Sequence, residues 1–206
     1  GCPVCGGGLA VFGGTVGCAR GHCFHLARYV YVNLLAIQKK HAADPGDGKE
    51  MVRARRAFLS AGHYDPLMQA LAELCAALPH GHIVDAGCGE GSYDRYLQDR
   101  LTDAQIVRFD LSKEAVRLAA KRVPEGAFCV GGSFSAPVRD GWADLLLNIF
   151  SPFAGVEFRR MLRPGGHLIY AVPTARHLYG LKEVLYATPY ENEVKETTYE
   201  GFAFVE

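Results

Sequence analysis

Residues 83–91 read Ile83-Val84-Asp85-Ala86-Gly87-Cys88-Gly89-Glu90-Gly91, a short apolar strand running into a glycine-rich turn, with a helix predicted to begin near Ser92. The chain around this stretch keeps the same rhythm. Upstream, Leu67–Leu78 carries apolar residues at helical spacing and Pro79-His80-Gly81 ends that helix. Downstream, Ile106-Val107-Arg108-Phe109-Asp110 is the next predicted strand, its terminal carboxylate 19 residues beyond Gly91. Phe128–Gly131, Ala143–Phe150 and His167–Val172 supply further strands. Glu114–Arg122 and Val156–Leu162 supply the intervening helices, and Leu162-Arg163-Pro164-Gly165-Gly166 reads as a helix end and turn. Strands alternating with helices in this way predict an α/β fold, a Rossmann-like parallel sheet covered on both faces.

Sheets of this kind bind ligands beyond the carboxyl ends of their strands. Glycines at 87, 89 and 91 let a ligand approach the first turn, where a Cβ would collide with it. Asp110 is placed to accept hydrogen bonds from both hydroxyls of a ribose. NAD-binding and S-adenosylmethionine-binding sheets share these features, but the spacing here is G-x-G-x-G and not G-x-G-x-x-G. Asp85 and Glu90 also flank the turn, where carboxylates repel a pyrophosphate and suit an ammonium or sulfonium. The expected cofactor is therefore S-adenosyl-L-methionine, surrounded by Asp85, Gly87, Cys88, Gly89, Glu90, Gly91, Asp110 and Leu111. Asn148-Ile149-Phe150-Ser151-Pro152 ends the fourth strand at the same crevice. Asn148 offers a partner for a planar, amide-like acceptor and Phe150 or Phe153 a stacking face; core aromatics closing the sheet end are the alternative.

The amino terminus carries a different signature. Cys2-Pro3-Val4-Cys5 and Cys18-Ala19-Arg20-Gly21-His22 together give C-x2-C-x12-C-x3-H, a closed four-ligand set suited to one tetrahedral zinc ion. With no coordination position open, the metal is expected to be structural. It replaces a core that some 30 residues could not build alone. Cys23 follows His22 directly, and spacing leaves open which of them is the fourth ligand. His25 reads as a surface or packing histidine.

The 206 residues contain 49% hydrophobic and 21% charged side chains, a globular composition that argues against long disorder. No apolar run reaches the roughly 18 residues needed to span a bilayer. The chain opens on Gly1, not Met, with no basic-then-apolar leader, so no export signal is expected and the chain reads as a fragment. Seven cysteines, four of them in the first 23 residues, fit metal binding in a reducing cytoplasm better than a disulfide framework. The net charge is zero, yet residues 1–60 hold eight basic against three acidic side chains, compatible with a basic region facing a polyanion or with a solvated helix face. Residues 1–35 are expected to form the zinc-binding domain, 36–65 a basic linker and helix, and 66–206 the catalytic domain.

Taken together, these strings resemble a known family. The zinc knuckles, Tyr31-Val32-Asn33-Leu34-Leu35, Asp44-Pro45-Gly46-Asp47, Ala54-Arg55-Arg56-Ala57-Phe58-Leu59, Gly62-His63-Tyr64, the glycine turn and Asp110-Leu111-Ser112-Lys113 are similar, in order, to the bacterial 23S rRNA guanine-N1 methyltransferases of RlmA type, which include the tylosin-resistance enzymes. The similarity runs on through Arg163-Pro164-Gly165-Gly166 and Arg176-His177-Leu178 to about Phe202. It implies a zinc domain that helps grip a 23S rRNA hairpin near the macrolide site, joined to a methyltransferase domain, in a homodimer. It also implies Cys2, Cys5, Cys18 and His22 as metal ligands, which decides against Cys23. Tyr64 and His177 match positions that contact S-adenosylmethionine, and Asn148-Ile149-Phe150 is closer to the subgroup that modifies guanine 748 than to the one that modifies guanine 745. Three departures stand out. His25 replaces a usual Asp and Val30 a usual Gly, and the family's sheet ends in an antiparallel strand pair, of which Tyr199–Val205 is expected to be the first strand, the last being absent.

Methylating guanine N1 requires loss of the N1 proton as the methyl group transfers in line. His63, Asp65 and His177 are the candidate proton acceptors. Lys39, Lys40, Arg53, Arg55 and Arg56 are the candidate RNA-phosphate contacts, although one helix face cannot aim all three arginines the same way. A small-molecule methyltransferase, or a non-catalytic RNA-binding protein that keeps the fold as a scaffold, are the rival readings; the former leaves the zinc module unexplained.

Overall fold

The computed structural model of the chain describes residues 1–35, 46–194 and 197–205. Three short strands come first, β1 (Leu9–Phe12), β2 (Thr15–Cys18) and β3 (Cys23–His25), paired antiparallel in the order β1-β2-β3. Val16 is their one buried apolar side chain, so this small sheet encloses no core of its own. Cross-linking by a metal is what such a module requires.

A six-stranded sheet, all of its pairings parallel, forms the body: β4 (Tyr31–Asn33), β5 (His82–Ala86), β6 (Gln105–Asp110), β7 (Ala127–Val130), β8 (Ala143–Ile149) and β9 (Leu162–Ala171) lie in the order β4-β7-β6-β5-β8-β9. The central strands are mostly apolar, as burial on both faces demands; Ile83, Val84, Leu145 and Leu146 are fully buried. Helices α1 (Lys49–Ser60), α2 (Asp65–Ala77), α3 (Ser92–Arg100), α4 (Lys113–Arg122), α5 (Gly155–Met161) and α6 (Tyr179–Leu185) complete the chain. β6 lies on one side of β5 and β8 on the other. The strand order therefore reverses at β5, and a crevice opens beyond the carboxyl ends of β5 and β8.

Three features differ from the sequence reading. Residues 31–33, assigned to the zinc domain, are instead the edge strand of the large sheet, pairing Tyr31 with Phe128 and Asn33 with Val130. The register jumps from Ala143↔Leu162 to Leu145↔His167, so the turn read at Arg163–Gly166 lies inside β9 as a bulge. Residues 199–205 form a turn and no strand. Tyr199 and Phe202 pack their rings on Phe153, at 5.4 and 6.1 Å, instead of alternating along a ladder. Among the described residues, no helix is long and apolar enough to cross a membrane.

Candidate cofactor cleft and metal site

The crevice is a cavity of about 1160 Å³. Its floor is the turn after β5. A Cβ on Gly87 would run into the Ser151 hydroxyl, and its φ of +93° is one that L side chains avoid. A Cβ on Gly89 would meet nothing within 4 Å, so a ligand can lie directly against this backbone. Gly91 does not line the cavity; a Cβ there would stand 2.9 Å from the Ala119 Cα, so it lets α3 pack on α4.

Asp110 ends β6 at the cavity wall. The Gly89 amide donates to its Oδ2 at 3.0 Å and the Ser112 amide to its Oδ1 at 2.8 Å. Each oxygen keeps lone-pair capacity for a further donor, the geometry a vicinal diol needs. Burial pushes the Asp110 carboxyl above its ordinary value, although these two amides pull it back. The donor set and the open backbone at Gly89 fit the sugar of S-adenosylmethionine.

Asp85 also lines the cavity and is buried beside Asp94. Burial, then the neighbouring Asp94, raise its pKa well above the carboxylate range. Arg108 donates to Asp94 Oδ1 at 2.7 Å and to Gln98 at 2.8 Å, so its guanidinium pairs directly with only one of these carboxyls. Glu90 reaches the cavity wall, but its carboxylate accepts from the Ser92 hydroxyl and, at 2.8 Å, from Arg122. It is not free to meet an ammonium group.

Asn148 is buried beneath the floor and does not line the cavity. Its amide donates to the Ala86 carbonyl at 2.9 Å and steadies the start of the glycine turn. Of the candidate proton acceptors, only His177 lines the cavity, with Nε2 2.9 Å from the Tyr64 hydroxyl. His63 stacks on Phe58 with ring centroids 4.8 Å apart, and Asp65 heads α2; both lie outside the cavity lining. Cys88 and Leu111 do line it. Phe153 turns into the cluster with Tyr170 and Phe158 and offers the cleft no stacking face.

The far wall is aromatic. Tyr64 meets Phe150 edge-on at 6.2 Å, Phe150 lies 5.5 Å from His177, and Phe58 and Phe134 complete the rim. Phe150 and Leu178 both sit at positive φ, +53° and +55°, strain of the kind found at functional sites. Phe58, Tyr93 and Phe134 were missed in the sequence because they come from three separate helix and loop segments with no shared motif. Arg55, read as an RNA contact, lines this cavity and pairs with Asp47. Arg53 lies 3.9 Å from Glu114, and Arg56 has no ion-pair partner among the described residues. Lys39 and Lys40 lie outside the described residues.

At the amino terminus, one ligand atom from each of Cys2, Cys5, Cys18 and His22 lies within 4.8 Å of the others. Cys5 and Cys18 sulfurs are 3.7 Å apart, and His22 Nδ1 is 3.3 Å from Cys18 and 3.7 Å from Cys2. These are close to the edges of a tetrahedron built from bonds of about 2.0–2.3 Å, so the four residues fit a zinc ion. Burial opposes ionisation of Cys18, yet the amides of His22 and Arg20 bring its pKa down to about 6, ready to ligate. Cys23 and His25 are exposed and outside the cluster.

The comparisons with known proteins find two families along the chain. Residues 1–43 match the RlmA amino-terminal zinc-ribbon family and residues 84–170 the methyltransferase-domain family. A Micromonospora griseorubida protein named as a candidate 23S rRNA (guanine-N1)-methyltransferase is 38% identical, over 89% of this chain and 68% of that protein. The 23S rRNA (guanine-748-N1)-methyltransferase of Streptomyces fradiae is 40% identical, over 89% of this chain and 66% of its own length. The chain thus spans about two thirds of each. A crystal structure of a candidate S-adenosylmethionine-dependent methyltransferase from Methanococcus maripaludis has the same sheet fold, with a TM-score of 0.55, 21% identity, and coverage of 64% of this chain and 68% of that one.

Proposed function

The chain belongs to the family of 23S rRNA (guanine-N1)-methyltransferases, and from that premise we propose that it methylates N1 of a guanine in a 23S rRNA hairpin, with guanine 748 the favoured target over 745. The observation that carries the reading is a carboxylate-ended β6 facing an open glycine turn in the same chain as a Cys3His metal cluster. A small-molecule enzyme has no use for the second element. The preference for guanine 748 is supported by the name of the Streptomyces fradiae relative. The family resemblance further supports a homodimer acting in the cytoplasm.

S-adenosylmethionine, when bound, supplies an electrophilic methyl group on sulfur. The residues of the chain hold and exclude. Asp110 would hold the ribose hydroxyls, Gly89 would let the methionine part lie against the backbone, and Tyr64 and Phe150 would wall it from solvent. An unstacked guanine enters between Phe58, Phe134 and Phe150, aromatic faces of the type that receive extruded bases. His177, which the Tyr64 hydroxyl orients, would take the proton that guanine N1 must lose. The zinc site stays structural and takes no part in this chemistry.

The test is transfer of tritiated methyl from the donor into 23S rRNA lacking the modification, mapped by primer extension. A methyl on N1 blocks base pairing, so a stop beside guanine 748 is expected. Donor binding without transfer to RNA would overturn the reading in favour of another acceptor.

A further inference from the structure

A strip of cations crosses the face formed by the β3–β4 loop, α4 and α1, outside the cleft. In the loop, Arg28 and Lys121 both approach the Tyr29 ring, at 5.9 and 5.6 Å from its centroid, so one aromatic side chain holds two cations together. The loop that presents them is tight. Val30 donates to the Ala27 carbonyl at 2.8 Å and has a φ of +57°, a costly conformation for a β-branched residue. On α4, Arg117 grips Glu114 with two hydrogen bonds of 2.8 and 2.9 Å, and Arg53 of α1 approaches the same carboxylate at 3.9 Å. The hydrogen bonds to Arg117 hold the Glu114 carboxyl below its ordinary value, so this acid is ionised and answered by two arginines. Arg56 shares the Arg53 face of α1 by its i, i+3 spacing, whereas Arg55 turns into the cleft. Val52, Ala115 and Leu118 pack together and fix α1 against α4.

Lys121 and Arg117, one from each cation group, are four residues apart on α4, a rise of about 6 Å. The acids bordering the strip are mostly committed: Glu114 to the arginines just named and Glu125 to Arg95, which leaves Glu50 exposed on α1. Arg28, Lys121 and Arg53 are exposed, and Arg117 and Arg56 half-buried, along one ridge that connects the zinc module to the helix lining the cleft.

We infer that Arg28, Lys121, Arg117, Arg53 and Arg56 form a track for the phosphates of the substrate RNA, guiding its backbone from the zinc module toward the aromatic rim. The inference rests on the rRNA reading above and adds the path the strand takes. Tyr29 keeps Arg28 and Lys121 in place before RNA arrives, so less side-chain freedom is lost on binding.

Binding of the full chain to a 23S rRNA hairpin, measured as a function of salt, tests it. Arg28→Ala/Lys121→Ala and Arg53→Ala/Arg56→Ala should each weaken RNA binding at least tenfold and flatten the salt dependence, by about 0.7–0.9 in slope for each phosphate no longer neutralised. Both variants should bind S-adenosylmethionine as tightly as the unaltered chain, which shows that they are folded. Arg100→Ala, a cation off the strip, should leave RNA affinity unchanged. Undiminished RNA affinity in both double variants would overturn the track while leaving the rRNA reading intact. Failure of the unaltered chain to bind or methylate the hairpin would overturn both.

Discussion

Asp85 shows how a single side chain in this protein carries a pH signature. It is buried next to Asp94 and retains its proton to a higher pH than it would in the unfolded chain. Between the ordinary carboxylate pKa and the raised native one, the native state therefore binds more protons than the unfolded state, and stability falls as pH rises through that window. Asp85→Asn cannot lose the proton. Its melting temperature should gain on that of the unaltered chain as pH rises from 5 to 8, and parallel curves would contradict the raised Asp85 pKa. Val30 makes a second residue-scale case. With φ at +57° it occupies a conformation suited to Gly, the residue the family usually has there. Val30→Gly should raise stability by about 1 kcal/mol, readable as a higher melting temperature; an unchanged or lower value would show that the turn is unstrained. The residues of the glycine turn were legible because their roles are local: spacing alone puts Gly87 and Gly89 at the strand end. Asn148 was not legible in the same way. Its place at the end of β8 could be read, but which way its amide faces depends on the sheet around it, and it faces the Ala86 carbonyl.

Elements divide by whether their stability is local. The strand, turn and helix around residue 83, and the knuckles at Cys2–Cys5 and Cys18–His22, are written in short periodic strings and appear in the structure where the strings lie. β4 is three residues long and has no periodicity to read; its pairing with β7 spans nearly a hundred residues of chain and is decided by tertiary contact. Tyr199–Val205 errs in the opposite sense: the family resemblance suggested a strand, and packing on Phe153 drew the segment into a turn. The zinc module adds a prediction at this scale. Its three strands bury almost nothing, so chelation of the metal should unfold residues 1–28, while β4 remains attached to the large sheet. Amide exchange read residue by residue should show protection disappearing in β1–β3 and kept in β4–β9. Retained protection in β1–β3 after metal removal would contradict a structural role for the ion.

At the scale of the whole molecule, the proposed function assigns two regions: the zinc module and the α1–α4 face to a polyanion, and the crevice at the strand-order reversal to a sulfonium nucleoside. The sequence announced both regions through cysteine spacing and the Gly87–Gly91 turn. Of the aromatic wall, Phe150 and His177 were legible, whereas Phe58 and Phe134 stayed hidden, because they are distant in the chain and meet the others only in the fold. The account depends most on what Asp110 does in that crevice. Calorimetric titration of S-adenosylmethionine into the intact chain and into Asp110→Ala measures it directly. We predict one site per chain, with the substitution weakening binding by about 1.5–3 kcal/mol, roughly 10- to 150-fold, the scale of hydrogen bonds to a charged group. Equal affinity in the two proteins would mean that the sugar lies elsewhere and would contradict the assignment of the cleft.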